Sequence, residues 1–367
     1  MKIVYCTDQV YLHGGIEKVM AQKINYLVNN GYEVHLITTE QKGKPFCYHM
    51  NDELHHHDLE VNYDRKQSYF TFSNFKKIPT HFLRLKRKLK EINPDIIIVC
   101  NYTFDFYFVP ILEKKVKTIR EYHASRYYTS REKKSTLKKI KETFINFFEK
   151  KYTSIVVLNK DEEKYYNTNN IKVIPNSIEV TEENKVDFAK REKIILAAGR
   201  IAPVKQFDHL IRAWEKVYNK YPDWNVHIYG EGDLGLKRKL ENIIVEKKIK
   251  NIHFKGVTNQ LNEKMNIASL YALTSSTECF PMVLLESLSH GLPILSYKSP
   301  HGPENIITDN EDGILVELNN INEFALRLER LINNKEKRKE YSKKGYENIK
   351  RFEEVTIMKK WEQLFNS

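Results

Sequence analysis

Several features that would settle a class at once are missing from the chain. Its four cysteines, Cys6, Cys47, Cys100 and Cys279, are scattered without paired spacing, which excludes a disulfide framework or a zinc ribbon and points to a reducing compartment. No apolar run approaches the roughly 20 residues that span a bilayer. The opening MKIVYCTD leads straight into strand-like residues, so no signal peptide is expected and a soluble, cytoplasmic chain is. The Gly14-Gly15 pair that follows the first strand run is not a G-x-G-x-x-G, which leaves a dinucleotide site unsupported there. Low-complexity tracts are absent too, and 41% apolar with 12% aromatic residues is ample for a packed core. At 367 residues the chain exceeds one ordinary core, and two domains are expected.

Charge is plentiful but uneven. The whole chain carries +12, and residues 1–180 hold 30 Lys+Arg against 21 Asp+Glu, so an acidic partner would meet the first half. Nucleic acid is a poor candidate, because no recognition module or platform of aromatics interleaved with Lys and Arg is present. Two basic amphipathic stretches fit an anionic membrane surface better. In 75–92, seven Lys/Arg accompany one Glu, with Phe82, Leu85, Leu89 and Ile92 at helical spacing. In 131–151, eight Lys/Arg accompany three Glu, with Leu137, Ile140, Phe144, Phe147 and Phe148 as the apolar stripe. For either alone, a solvated face over a core stripe explains the pattern. The LHHHDL run at 54–59 has no second histidine cluster in sequence, and adjacent histidines diverge; it reads as a polar loop.

Along the first half, apolar β-rich runs (2–6, 33–39, 95–100, 117–123, 154–159) alternate with amphipathic segments. That alternation predicts a parallel sheet covered on both faces, with ligands beyond the carboxyl ends of its strands. Gly14-Gly15 opens a helix after the first strand, where backbone N–H groups are free and no Cβ blocks approach. His123 ends the fourth run at the same edge, as a structural or a catalytic histidine.

Near 175 the pattern restarts through a polar connector into six further strand-like runs: 193–200, 225–232, 251–256, 269–276, 293–298 and 313–318. Arg200 ends the first of these and Lys205 precedes a helix, two cations placed to clamp a diphosphate. The stretch 274–293 reads as a strand end, a loop carrying Glu278, and a helix opening at Pro281 with Glu286 inside it. A helix N-terminus seats phosphate or a developing oxyanion, while carboxylates accept hydroxyl groups. A ligand with phosphate and polyol parts, such as a nucleotide sugar, satisfies both.

Gly-Arg with Lys205 five positions after Arg200, Gly230-x-Gly232, the Glu278/Glu286 pair and Gly291-x-Pro293 together resemble a glycosyltransferase of family 4 with the GT-B fold, across most of the second half. The resemblance implies an α/β architecture of two Rossmann-like domains facing across a cleft. Residues 1–176 would bind acceptor, 177–350 would bind the nucleotide sugar, and the last helix (351–367) would return to the first domain. It implies further that Arg200 and Lys205 bind the donor diphosphate, Glu286 the ribose hydroxyls and Glu278 the donor sugar. Backbone at Phe280, Pro281, Met282 and Val283 would line phosphate and sugar, Gly14 and Gly15 would approach the distal phosphate, and the base would sit near Gly230 and Val257. His123 matches the acceptor-side histidine. Two positions depart from the pattern: Cys279 and Gln206 stand where glycine is common.

No Asp-x-Asp triplet is present, so no metal and no cofactor is expected at the donor site, and cations and amides would stabilise the leaving phosphate. The resemblance implies retention of anomeric configuration by front-face attack. The loop SPHGPENII (299–307) resembles a form found with UDP-sugars, so a UDP-linked hexose or N-acetylhexosamine is the expected donor. The expected acceptor is a growing lipid-linked bacterial saccharide at the inner membrane face, with the enzyme bound peripherally there. The alternative is a non-catalytic GT-B protein that binds membrane surface or nucleic acid.

Overall fold

The computed structural model describes all residues except Phe70, Tyr102, 128–129, 131–134 and 181–187, and nothing is said of the Leu137 side chain. Residues 131–134 of the second basic stretch, and part of the connector after 175, therefore lie outside the description. The chain divides into two compact units, Met1–Pro175 with Met358–Ser367, and Asn176–Ile357.

The first unit is a seven-stranded sheet of order β3-β2-β1-β4-β5-β6-β7, every pair parallel. Its strands are β1 (Lys2–Thr7), β2 (Glu33–Thr38), β3 (His55–Asp58), β4 (Ile96–Val99), β5 (Lys117–Glu121), β6 (Ser154–Val157) and β7 (Ile171–Val173). Helices α1 (Gly15–Asn29), α2 (Ile78–Ile92), α3 (Asp105–Leu112) and α4 (Thr136–Glu149) connect them. Runs such as Ile96–Val99 are buried along their whole length, as parallel strands covered on both faces must be.

The second unit is a six-stranded parallel sheet of order β10-β9-β8-β11-β12-β13. It comprises β8 (Ile194–Ala198), β9 (Asn225–Tyr229), β10 (Ile252–Gly256), β11 (Leu270–Leu273), β12 (Ile294–Tyr297) and β13 (Gly313–Val316). The helices are α5 (Phe207–Glu215), α6 (Leu234–Glu246), α7 (Leu261–Ile267), α8 (Met282–Ser289), α9 (Ile321–Asn333) and α10 (Lys335–Asn348). Leu210, Ile211 and Trp214 of α5 are fully buried against Ile195 and Val226; each such aliphatic side chain contributes about 1.5–3 kcal/mol.

Helix α11 (Glu354–Asn366) ends in the first unit. There Trp361 is buried under the Lys23 ammonium, 4.4 Å from its ring centre. Lys117 Nζ donates to the carbonyls of Leu364 and Phe365 at 3.1 and 2.9 Å. A cation on carbonyls left open by a helix end complements the dipole.

Three expectations are corrected. The histidine run is not a loop: His55–Asp58 forms edge strand β3, with His55 directly opposite His35 of β2, because parallel pairing supplies partners that local sequence does not show. Pro281 caps α8 rather than opening it; its ψ of 115° is extended and Met282 is the first helical residue. The strand run at 117–123 stops at Glu121, so His123 stands two residues beyond it.

The two basic stretches also part company. On α2, Leu85, Leu89 and Ile92 are buried in the core, leaving a solvated basic face. On α4, Phe148 is buried, but Ile140, Phe144 and Phe147 are 61%, 54% and 54% exposed.

Candidate active site

The carboxyl edge of the second sheet is assembled by glycines. Gly199, which follows β8, has φ 153°, and Gly230, which follows β9, has φ 134°. A Cβ on Gly230 would meet the Gly199 carbonyl oxygen at 2.1 Å, and one on Gly232 the Ile201 oxygen at 2.2 Å. The two strand exits thus run with backbones touching. They are laced by Ile201 N–H to the Glu231 carbonyl (2.9 Å) and Asp233 N–H to the Ile201 carbonyl (2.9 Å). This fixes the backbone on both sides of Arg200, whose side chain is exposed. Gly230 N–H donates to the Gly256 carbonyl at 2.8 Å, which brings exposed Val257 beside it.

Lys205 closes a 3-10 turn, Pro203–Lys205. Thr274 donates its hydroxyl to the Lys205 and Gln206 carbonyls, both at 3.0 Å, and Ser276 N–H donates to the Val204 carbonyl at 2.8 Å. The exit of β11 is thereby sewn to the lysine turn. The result is a Lys205 Nζ to Glu278 Oε1 ion pair of 2.6 Å, with the side chains 20% and 12% exposed. Gln206 has φ 43°, which explains why glycine is common there; a left-handed non-glycine residue costs about 1–2 kcal/mol.

Glu278 is backed by the 299–307 loop, where a Cβ on Gly302 would meet the Glu278 Cβ at 2.6 Å. Phe280 is buried edge-on to Phe352 at 5.4 Å, and Asn176, at the start of the connector, donates to its carbonyl at 3.4 Å. Pro281, as N-cap, makes no side-chain bond to the first turn of α8, whose opening N–H groups, at Met282 and Val283, have no partner within the helix. Glu286 is buried one turn in. Beneath the carboxylates lies Tyr271, which the sequence reasoning missed. Burial, with Glu286 and Glu278 adding, raises its phenol, and it bridges to Ala198 of β8, donating to the carbonyl at 3.1 Å and accepting from the N–H at 3.2 Å.

In the first unit Gly14 is the extended N-cap of α1, and nothing lies within 4 Å of a Cβ placed on Gly15. Gly14 admits the Glu17 carboxylate, which would come within 2.3 Å of any Cβ there and which accepts from Gln9 Nε2 at 2.7 Å. His123 Nε2 lies 3.3 Å from Glu121 Oε1, and Glu121 is itself paired with Lys23. Burial opposes ionisation of Glu121, yet Lys23 and then His123 hold its carboxyl far below the usual range. Burial, then Glu121, pushes the Cys100 thiol well up. Also missed was a polar set at the exits of β1, β2 and β4, where Arg65 pairs with buried Asp8 and with buried Glu40 (2.9 Å) and Asn101 donates to Asp8 and to Thr7 Oγ1 (2.7 Å). Their one signal is position, each of Asp8, Glu40 and Asn101 falling within two residues of a strand end.

Each unit thus gathers its own sequence-predicted residues at a sheet edge. Arg200, Lys205, Gly230, Val257, Glu278, Phe280, Pro281, Met282, Val283 and Glu286 belong to the second unit, and Gly14, Gly15 and His123 to the first.

Comparison with known proteins identifies the class. Residues 179–348 match the model of glycosyl transferases group 1, and residues 13–182 that of glycosyltransferase family 4. An uncharacterized glycosyltransferase of Haemophilus influenzae is 30% identical over 331 residues, 88% of each chain. The chain therefore belongs to the family 4 type glycosyltransferases and is an enzyme of glycosyl transfer. The amylovoran biosynthesis glycosyltransferase AmsD of Erwinia amylovora is 24% identical, covering 100% of this chain and 99% of the relative. A Campylobacter jejuni α-1,4-N-acetyl-D-galactosaminyltransferase, named for an undecaprenol-diphosphate-linked acceptor, is 25% identical over 96% and 94%. Among solved structures, S. aureus TarM, crystallised with fondaparinux, α-GlcNAc-glycerol and UDP, superposes with TM-score 0.80 over 100% of both chains at 17% identity. The fold is the two-domain α/β GT-B fold.

Proposed function

We propose that the protein is a retaining, metal-independent transferase that moves a hexose or N-acetylhexosamine from a UDP-sugar to a lipid-linked saccharide during bacterial surface polysaccharide assembly. The observation that carries this reading is the partly exposed Lys205–Glu278 pair on the same sheet edge as the uncapped start of α8. A diphosphate would take Lys205 and Arg200, with the α8 N–H groups on its oxygens. Glu278, released from Lys205, would then accept from the sugar hydroxyls and Glu286 from the ribose. Charge developing on the leaving phosphate meets cations and amides already in position. In front-face attack the leaving oxygen takes the acceptor proton, so orientation matters more than a protein base. His123 is an acceptor-side group in this reading.

The UDP preference is supported by the 299–307 loop and by UDP in the TarM crystal. The acceptor reading is supported by the Campylobacter relative's name and by α4, whose exposed Ile140, Phe144 and Phe147 lie among lysines. Beside α4 is a cavity of about 340 Å³ with a mixed lining, Gln67, Ser68, Thr103 and Lys141 on the polar side and Tyr69, Phe104, Phe106, Tyr107 and Ile145 on the apolar side, which suits an amphipathic ligand. Among the described residues no helix is long and apolar enough to cross a membrane, so contact would be peripheral.

The test is to offer UDP-glucose, UDP-galactose, their N-acetylated forms and GDP-mannose with a polyprenyl-diphosphate saccharide in excess EDTA, and to assign the product anomer by NMR. Transfer from a UDP-sugar with retention is expected. Inversion, or activity that returns only with Mg²⁺ or Mn²⁺, would refute the mechanism.

A further inference from the structure

The histidine run acquires a second meaning once β3 pairs with β2. Parallel register sets His55 opposite His35, and Glu33, two residues before His35, shares their face. The His35 and His55 rings stack with centroids 4.7 Å apart. One ligand atom from each of Glu33, His35 and His55 lies within 4.8 Å of the other two. His35 Nε2 is already 3.0 Å from Glu33 Oε1, and its Nδ1 is 3.1 Å from His57 Nε2.

We propose that Glu33, His35 and His55 form a divalent metal clip, for zinc or a similar first-row ion, that fastens edge strand β3 to β2. Two imidazoles and a carboxylate are a borderline donor set suited to such ions rather than to magnesium or calcium. A tetrahedral ion with ligands at about 2.1 Å needs ligand atoms ~3.4 Å apart. The Glu33–His35 separation is close to that value, and the exposed His55 ring can rotate to supply the third ligand. Solvent takes the fourth position.

His57 completes the site without touching the ion. With Nε2 of His35 on the metal, its Nδ1–H donates to His57 Nε2, the second-sphere partner that fixes ring orientation and tautomer in most histidine sites. Without the ion the same contacts run the other way: His57 Nε2–H donates to His35 Nδ1, and His35 Nε2–H to Glu33. Binding therefore shifts one proton within each ring and releases none. Lys2, whose Nζ is 3.3 Å from Glu33 and also donates to the Ile92 carbonyl at 3.0 Å, must give up the carboxylate, which sets a limit on affinity. The gain is structural: β3 is an outermost strand with one neighbour, and open edges are where sheets pair wrongly.

The experiment is calorimetric titration of Zn²⁺ into full-length protein stripped with EDTA, with Co²⁺ visible absorption and melting temperature as parallel readings. One equivalent is expected, with tetrahedral cobalt bands and a raised melting temperature. His55→Ala and Glu33→Gln, both at exposed positions, should fold normally and lose at least tenfold in affinity, and His57→Ala about tenfold. Binding unchanged in His55→Ala and Glu33→Gln would place the ion elsewhere, on a cysteine thiol for example. No saturable binding below millimolar Zn²⁺ would also overturn the clip.

Discussion

Lys205 and Lys23 each hold a glutamate at the carboxyl end of a parallel sheet, and the two pairs are built for different work. Lys205 and Glu278 keep 20% and 12% of their side chains in contact with solvent, whereas Lys23 and Glu121 keep 3% and 2%. A pair that is still wetted can be exchanged for a phosphate on one side and a hydroxyl on the other at little cost. A pair sealed under Trp361 and beside Cys100 cannot, since parting it strands a charge in the interior. In the proposed reading the difference separates a donor site from a structural joint, although both look alike as lysine near glutamate.

Breaking the joint should produce the largest effect. Glu121→Ala leaves Lys23 buried and alone, and is expected to cost about 3–5 kcal/mol in denaturant unfolding. The double change Lys23→Met with Glu121→Leu should recover most of that loss; equal destabilisation of single and double variants would show that the pair itself is not the cause. Breaking the site should leave stability nearly intact and remove activity. Lys205→Ala and Arg200→Ala are expected to lose about 10²-fold in rate, and His123→Ala distinctly less. Equal, small losses in all three would dismiss the diphosphate assignment.

A third carboxylate sharpens the contrast because burial and a second carboxylate, rather than a cation, set its ionisation. Glu354, at the start of α11, is pushed up to about 7 by burial and then by Glu179. Its folded value exceeds the unfolded one, so folding binds the proton, and stability falls as pH rises from about 4.5 towards 7. Melting curves of wild type and Glu354→Gln should coincide below pH 4 and diverge above pH 7, with the variant more stable; coincidence throughout would mean the group is solvated. The smallest stability change is expected for Phe144→Ser with Phe147→Ser, about 1 kcal/mol, because both rings are half exposed and pack on Phe148, Phe144 on Tyr107 as well. Flotation with anionic liposomes should nevertheless drop clearly, and undiminished flotation would separate α4 from the membrane.

The fold class was legible because two series of apolar runs alternating with amphipathic segments admit few other architectures. The second unit's edge was legible because its parts are close in sequence, from Gly199 to Lys205 and from Glu278 to Glu286. In the first unit the partners are distant: Arg65 meets Asp8 across 57 positions and Lys23 meets Glu121 across 98. No local pattern announces such pairs. The same reason hid β3, whose histidines look isolated until register brings His35 beside them. The basic stretches at 75–92 and 131–151 share one sequence pattern, yet packing buries the stripe of α2 and leaves much of that of α4 exposed. Several glycines carried a structural meaning not visible in sequence, since Gly230 and Gly232 are required by the touching exits of β8 and β9.

The most direct measurement is calorimetric titration of UDP, in excess EDTA, into wild type, Glu286→Ala and Lys205→Ala. One UDP per wild-type chain, with affinity reduced about tenfold or more in each variant by the loss of a charged hydrogen bond, is the expected result. Equal affinity in all three proteins, or no binding by the wild type, would contradict a donor site at the edge of the second sheet.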